Sequence, residues 1–569
     1  MVTEHELTFE HPPTSLTLPG QSEKFGEPNS CTAFDGKVYV VVTPFQAIGS
    51  ARGKLMVYNA TSLAYITSYD AGYNPDHVLQ SPNKRFVVTA DEGEPPQVTG
   101  MDLSLNQRGG ATILDTQTGS LCSFQFDFSG YTDDEFAANR VHESLKADLN
   151  MTYDIEPEFV SFDPQDSNKA YLTCQEANVV VEIDLNPIAP CSSQGRVKAI
   201  YPLGWKDYRT AFPNNQVAPS DRISSGNDYN ITTLPFSHQP LYGMYQPDGT
   251  KGFTVYGKTY FITANEGDSK DGDFFGTRDE ANVGDLIQGS VILNPDMDWS
   301  PLAVEDVETD VNLKRLKVFT QEGRNATNSN LVDYLVAQGG RGFAIWTFDS
   351  AGTTLVYESG DSTEKQLQTF LQNEPTLTTQ AAAFVDRARR KGSEPENTLV
   401  FNTPTGRPIA LVAFERASTI GFYDVSDPSA PETIGYVSHP DLVGPEGISI
   451  IAPADSPSGK YLLVANGEGS GDGLTQRLMV WELVIAEPAR PKMFSFPKYR
   501  SFNKLSPSTT LSMTATHKAS VIPAQAAEYH CIDKNRVFVI AGSATRANNV
   551  VHVYNVTGSI GLELVGSLE

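Results

Sequence analysis

One pattern returns five times along the chain: an apolar, β-branched run that ends in an acid. It reads RFVVTADEGEP at Arg85–Pro95, AYLTCQEAN at Ala170–Asn178 and TYFITANEGDS at Thr259–Ser269, then IALVAFERAS at Ile409–Ser418 and YLLVANGEGS at Tyr461–Ser470. The acids are Glu92, Glu176, Glu266, Glu415 and Glu468. A turn holding proline and an acid precedes each run: YNPDHVLQSP, DIEPEFVSFDP, LYGMYQPDG, GSEPENTLVF and VGPEGISIIAP. A further strand-like run usually follows and often closes in Asp, as in ATILDTQTG, VVVEIDLN and IGFYDVSDP. Short strands separated by Gly, Pro, Asn and Asp, in repeats of roughly 40–60 residues, are the pattern of radially packed blades. The fold class read from this is all-β, a β-propeller of about seven blades (eight is also compatible), with long loop insertions and a short helical excursion.

The expected organisation is an N-terminal segment at 1–30 and a single propeller domain over 31–569. Inserted loops are expected near 201–228, 362–392 and 487–523. Within the second, STEKQLQTFLQNEP and TTQAAAFVDRARRKG carry the i, i+3, i+4 spacing of helices. The first and last strands of this kind, KLMVYNATS and VHVYNVTGS, resemble each other, so the two chain ends should share or adjoin the closing blade.

Charge narrows the function. The formal net charge is -27, which speaks against a nucleic-acid partner and suits solubility or divalent cations as partners. No run reaches the ~18 apolar residues of a membrane span, so no transmembrane segment is expected. MVTEHELTFE lacks the features of a signal peptide and GLELVGSLE those of a lipid anchor. If the protein is secreted, its leader is absent from this numbering. Five N-x-[ST] sequons at Asn59, Asn150, Asn230, Asn325 and Asn555 are candidate glycosylation sites. Five cysteines without a C-x-x-C pair allow one or two disulfides, with Cys174 and Cys191 the nearest pair in sequence.

The ordered series EPEF…AYLTCQEANVVVEIDL, LYGMYQPDG, YFITANEGDSKDGDFFGTRDEANVGDL, GGRGFAIWTFD, GSEPENTLV, FERASTIGFYDVSDP and GPEGISI resembles the choice-of-anchor I domain, from about Thr32 to Thr557. That family includes mesenchyme-specific cell-surface glycoproteins of skeleton-building cells and many bacterial secreted proteins. The resemblance implies an extracellular or surface-anchored propeller, linked in animals to calcium-carbonate biomineralisation. Bacterial members often carry an alkaline-phosphatase-like label.

In a propeller, the loops after equivalent strands converge on one face. The acids should therefore meet there: Glu156, Glu158, Glu176, Glu266, Asp268, Glu394, Glu396, Glu415, Glu446 and Glu468. Carboxylates crowded within ~4–6 Å cannot all stay ionised without a cation or an arginine. Hard divalent cations take six to eight oxygens from such groups, so Ca²⁺ is the expected cofactor. The competing reading is that the acids cap turns and pair with arginine. Three function classes follow. The first is a non-enzymatic calcium-binding glycoprotein acting in extracellular matrix, adhesion or mineral formation, with matrix, mineral or surface proteins as partners. The second is a Ca²⁺-dependent phosphatase or phytase-like hydrolase that could use Arg278, Arg341, Arg387 or Arg416. The third is a metal-free protein-interaction propeller. No G-x-S-x-G or H-E-x-x-H motif is present, and no catalytic residue is assigned.

Overall fold

The computed structural model describes residues 25–44, 51–93, 107–142, 153, 155–209, 215–222, 229–269, 279–289, 291–469, 477–486, 511–521, 526–542, 550–557 and 560–568. Seven four-stranded antiparallel sheets are present among them. The first blade is Phe25–Phe34, Lys37–Pro44, Lys54–Asn59 and Tyr65–Asp70. The second runs from Pro75–Gln80 to Ser120–Gln125, and the third from Phe159–Asp163 to Val197–Pro202. The fourth is Thr250–Val255, Lys258–Asn265, Gly342–Asp349 and Gly352–Glu358. The fifth spans Pro395–Asn402 to Glu432–Val437, the sixth Pro445–Ile451 to Ser512–Val521, and the seventh Ala526–Asp533 to Leu562–Leu568. The leading strand of each blade packs against the leading strand of the next, and that of the seventh against that of the first. The seven blades thus close into one ring.

The apolar runs become the second and third strands because a blade is covered on both faces. Ile409–Phe414 and Leu462–Ala465 are fully buried, and a hydrophobic cluster fills each interface, such as that joining the first and seventh blades. The fourth strand lies outermost and is half exposed, as in Tyr65–Asp70. Its polar character is why the repeat is hard to see there.

The ends adjoin rather than share a blade, since the first and seventh sheets are each built from one continuous stretch. A disulfide between Cys31 and Cys531 joins their leading strands. A second links Cys122 to Cys191, leaving Cys174 buried and free. The sequence neighbours Cys174 and Cys191 are therefore not the pair that forms. Cys174 sits at the end of a core strand, facing the hydrophobic cluster of the second and third blades.

The domain boundaries shift in four places. The first blade strand starts at Phe25, inside the expected N-terminal segment. The stretch read as a loop near 201–228 contains the end of the third blade's outer strand and the strand Trp205–Asp207. That strand pairs with Leu241–Met244, which pairs in parallel with Leu335–Ala337. These strands belong to a small subdomain mostly inserted between the second and third strands of the fourth blade, with its own core around Leu241, Val283, Leu313 and Leu335. Repeat reading missed this insertion because its strands are only two to four residues long. The stretch near 487–523 includes the outer strand Ser512–Val521, and 487–510 lie outside the described residues. The helical excursion is present as Ser362–Asn373 and Thr378–Arg387, packed by Leu367, Leu371, Phe384 and Val385 onto the fourth and fifth blades.

Candidate metal centre

Strand direction alone brings the acids together. A leading strand starts at one rim of the ring and runs to the other, and the second strand returns. The acid that opens the leading strand and the acid that follows the second strand therefore share a rim. Five consecutive blades supply such pairs: Asp76 and Glu92, Glu158 and Glu176, Asp248 and Glu266, Glu396 and Glu415, Glu446 and Glu468. In the first blade Asn29 stands in the opening place, and in the seventh the register puts Ala527 there. The acidic sector thus covers five blades of seven.

Equivalent backbone bonds pin the two loops of a blade together. The N–H groups of Glu92, Glu415 and Glu468 donate to the carbonyls of Asn74, Glu394 and Gly444 at 3.0, 2.7 and 2.9 Å. Asn74, Gln246 and Glu394, each just before the rim proline, adopt φ of 43°, 42° and 48°. This left-handed conformation is costly for residues with a Cβ and is held by the surrounding packing. In the fourth blade the chain leaves for the inserted subdomain at Glu266 and returns at Gly340, whose N–H donates to the Asn265 carbonyl at 3.0 Å. Gly267 (φ 89°) and Gly339 (φ 70°) meet there. A Cβ on Gly339 would lie 1.9 Å from the Glu266 carbonyl oxygen, so only glycine lets the two ends close.

Three overlapping groups bring carboxylate oxygens within 4.8 Å of one another: Asp248, Glu266 and Glu396; Glu266, Glu394 and Glu415; and Glu396, Glu415 and Glu446. Three cations enter the cluster. Lys391 Nζ lies 2.6 Å from Glu266 Oε1, 3.7 Å from Asp268 Oδ1 and 3.8 Å from Glu394 Oε2. Arg387 grips both oxygens of Glu394, with Nη2 to Oε2 at 2.7 Å. Arg416 reaches Glu394 at 3.2 Å, Glu415 at 2.6 Å and Glu468 at 2.7 Å. Lys391 is aimed by buried Arg341, whose guanidinium donates to the carbonyls of Ala388 and Arg390 at 2.8 and 2.5 Å.

The charges do not balance evenly. Burial alone would raise Glu394, but Lys391, Arg387 and Arg416 outweigh it and hold Glu394 below its ordinary range. Burial, with Asp268, Glu394 and Asp248 against the help of Lys391, pushes Glu266 up to about 7. Glu396 is driven well up by burial and then by Glu446, Asp248 and Glu266. Glu415 is raised by burial and by Glu446, Glu266 and Glu394. Burial raises Glu446 too, even against its hydrogen bond to Glu396. Glu158 rises through burial and its contact with Glu176. The Glu396 side of the rim is therefore short of positive charge, whereas the Glu394 side is satisfied.

Of the ten acids named from sequence, Glu266, Glu394, Glu396, Glu415 and Glu446 fall within the three groups. Glu158 and Glu176 pair with each other. Glu468 is held by Arg416. Asp268 stands half exposed at the edge. Glu156 is buried but belongs to none of the three groups. Asp248 was missed. Asp248 carried the same Pro-acid signal as Glu396 and Glu446, and Lys391 lies in the basic run RARRKG at Arg387–Gly392, which reads as a counter-charge just before Glu394.

The described acids between 265 and 280 go to different partners: Glu266 and Asp268 meet Lys391, whereas Asp279 and Glu280 do not. Asp279 is buried against His142 Nε2 at 3.0 Å, with Glu322 2.7 Å from Nδ1. The two carboxylates outweigh burial and raise His142 to about 10. Glu280 pairs with Lys317. Asp271, Asp273 and Arg278 lie outside the described residues, as does the sequon Asn150. Asn59 and Asn230 cap turns with their side-chain oxygens, and Asn555 lies in a strand. The amide nitrogen of Asn325 donates to Asp333 at 3.0 Å.

These features define a seven-bladed β-propeller with an acidic sector at one mouth of its channel. The chain belongs to the choice-of-anchor I domain family, whose model matches residues 3–428. That segment ends inside the fifth blade. Comparison with curated proteins gives no match. Among solved structures the chain is similar to the periplasmic gluconolactonase PpgL of Pseudomonas aeruginosa, at 10% identity, TM-score 0.38 and 96% coverage of both chains. It is also similar to Saccharomyces cerevisiae Sqt1, at 8% identity and TM-score 0.39, covering 98% of this chain and 88% of that one. The β-propeller domain of the Trilobed protease from Pyrococcus furiosus matches at 9% identity and TM-score 0.34, covering 94% of each chain. Disulfides persist in oxidising compartments, so the two bridges and the family together point to an extracellular, secreted protein. Among the described residues no helix is long and apolar enough to cross a membrane.

Proposed function

We propose that this protein is an extracellular calcium-binding propeller, with the cation held at the channel mouth by Glu396, Glu446, Glu415 and Asp248. The carrying observation is the sharing of Glu396 between two carboxylate groups, each within 4.8 Å, in which Lys391 meets Glu266 and Arg416 meets Glu415 but, among the described residues, no ion pair reaches Glu396 or Glu446. Buried carboxyls that close are stabilised by a proton or by a cation. The irregular, oxygen-only donor set suits Ca²⁺ better than the strict octahedron of Mg²⁺. A role in matrix, adhesion or mineral formation would use this site to bridge the protein to acidic partners or mineral. Phosphoester hydrolysis is the weaker reading. It needs a cationic side chain free to meet phosphate, and Lys391, Arg387 and Arg416 are each engaged by carboxylates.

The test is elemental mass spectrometry of the dialysed protein, with a thermal melt in chelator and in calcium. Stoichiometric calcium and a higher melting temperature in its presence are expected. No retained metal and superimposable melts would reject calcium binding and leave a metal-free interaction propeller.

A further inference from the structure

A second site lies at the opposite end of the ring. There a cleft of about 610 Å³ opens between the third and fourth blades. The leading strand Phe159–Asp163 begins beside Glu158 at the acidic rim and ends in the cleft at Asp163, so the two sites occupy opposite rims. Four aromatic rings form the inner wall. Tyr201 stacks on Phe348 at 4.9 Å, and Tyr171 and Phe348 each approach Phe261, at 4.3 and 5.2 Å. This packing fixes the wall. Among the described residues the Tyr171 hydroxyl makes no side-chain hydrogen bond, whereas Tyr201 donates to Glu182 at 2.7 Å.

The polar lining mixes signs. Asp163, Glu182 and Asp349 are acceptors, and the half-exposed Lys169 and Lys198, 3.7 and 3.4 Å from Glu182 and Asp184, each carry three N–H donors, more than these contacts use. An anion would meet three carboxylates and a cation would meet two ammonium groups. An uncharged ligand bearing many hydroxyls can both donate to the acids and accept from the lysines. The volume lies within the ~300–1,000 Å³ of small-molecule sites.

A separate observation points the same way. Tyr256, at the tip of the hairpin joining Val255 to Lys258, is 91% exposed and has φ of 49°. The same hairpin leads into Thr259 and Phe261 of the cleft. A solvent-facing aromatic in a left-handed conformation is costly on both counts, and its ring stands in open solvent on the turn that leads into Thr259 of the cleft lining.

We propose that this cleft binds an uncharged saccharide of one or two rings, with Tyr256 as a stacking platform and the Tyr171 hydroxyl, Asp349 and Lys198 as hydrogen-bonding groups. The test is saturation-transfer difference NMR of the full chain with cellobiose, maltose, lactose and N,N′-diacetylchitobiose. Saturation transfer to at least one sugar is expected. It should fall at least fivefold in Tyr256→Ser and in Tyr171→Phe/Asp349→Ala. Tyr256 and Asp349 are exposed, so these variants keep the test valid if Tyr171→Phe alone perturbs the wall. No transfer to any of the four sugars, or undiminished transfer in both variants, overturns the proposal.

Discussion

Cys31 and Cys531 lie 500 residues apart and form a disulfide between the leading strands of the first and seventh blades. The ring closes through this bond and through packing between the two blades, since among the described residues no strand is exchanged between them. In the reduced protein the closing interface would keep the packing of Val40, Val42, Phe538, Val553 and their neighbours, and the hydrogen bond from Arg536 to the Ala60 carbonyl.

Replacing both cysteines, Cys31→Ser/Cys531→Ser, should therefore lower unfolding stability by about 2–5 kcal/mol, within the usual range for removing a native disulfide. Denaturant unfolding of the variant measures it. An unchanged midpoint would mean that packing alone closes the ring.

Glu394 has no exposed surface and depends on Arg387 for a two-pronged ion pair. Arg387→Ala should cost about 1.5–3 kcal/mol, because Glu394 loses its two-pronged partner and keeps Arg416 at 3.2 Å and Lys391 at 3.8 Å. Adding Glu394→Gln should recover part of the loss. A double variant no more stable than Arg387→Ala would show that the arginine matters through packing instead.

Glu396 and Glu446 share a hydrogen bond and both sit on the undercharged side of the rim. Glu396→Gln/Glu446→Gln should weaken calcium binding at least tenfold by titration calorimetry. In chelator the same variant should melt above the parent at neutral pH, since amides remove like-charge repulsion. Parental calcium affinity in the variant would move the site elsewhere.

The rim also sets a pH dependence. Glu266 rises to about 7 in the folded chain, and Glu396, Glu415 and Glu446 rise well above their ordinary values. The folded state then holds protons that the unfolded state has lost, so this stability is present below about pH 4.5 and declines as pH rises through 7. Buried histidines act at the other end. Burial lowers His77 and His530 to about 3 and His552 to about 4. Their contribution is lost as pH falls from about 6.5 towards those values. The metal-free protein should melt highest on the acidic side of neutrality, and calcium should remove the decline above it. A metal-free melting temperature that climbs from pH 6 to pH 8 would contradict the assignment.

The blades were legible because burial on both faces forces the second and third strands into unbroken apolar runs such as Ile409–Phe414. The shared rim was legible because each acid keeps the same place in its repeat. Asp248 shows that this rule reaches further than the acids first named, since its Pro247-Asp248 pair matches Pro395-Glu396 and Pro445-Glu446. The inserted subdomain was illegible because two- to four-residue strands carry no periodicity.

The sequence by itself determined a ring of repeated blades and the rim where its acids converge, since strand alternation and repeat position are local properties. Tertiary structure decided the partners. It gave Glu394 to Arg387 and Arg416, sent Asp279 to His142, brought Lys391 to Glu266 from 125 residues away and joined Cys31 to Cys531. Those contacts depend on which loops the closed ring brings together, and no run of neighbouring residues encodes that distance.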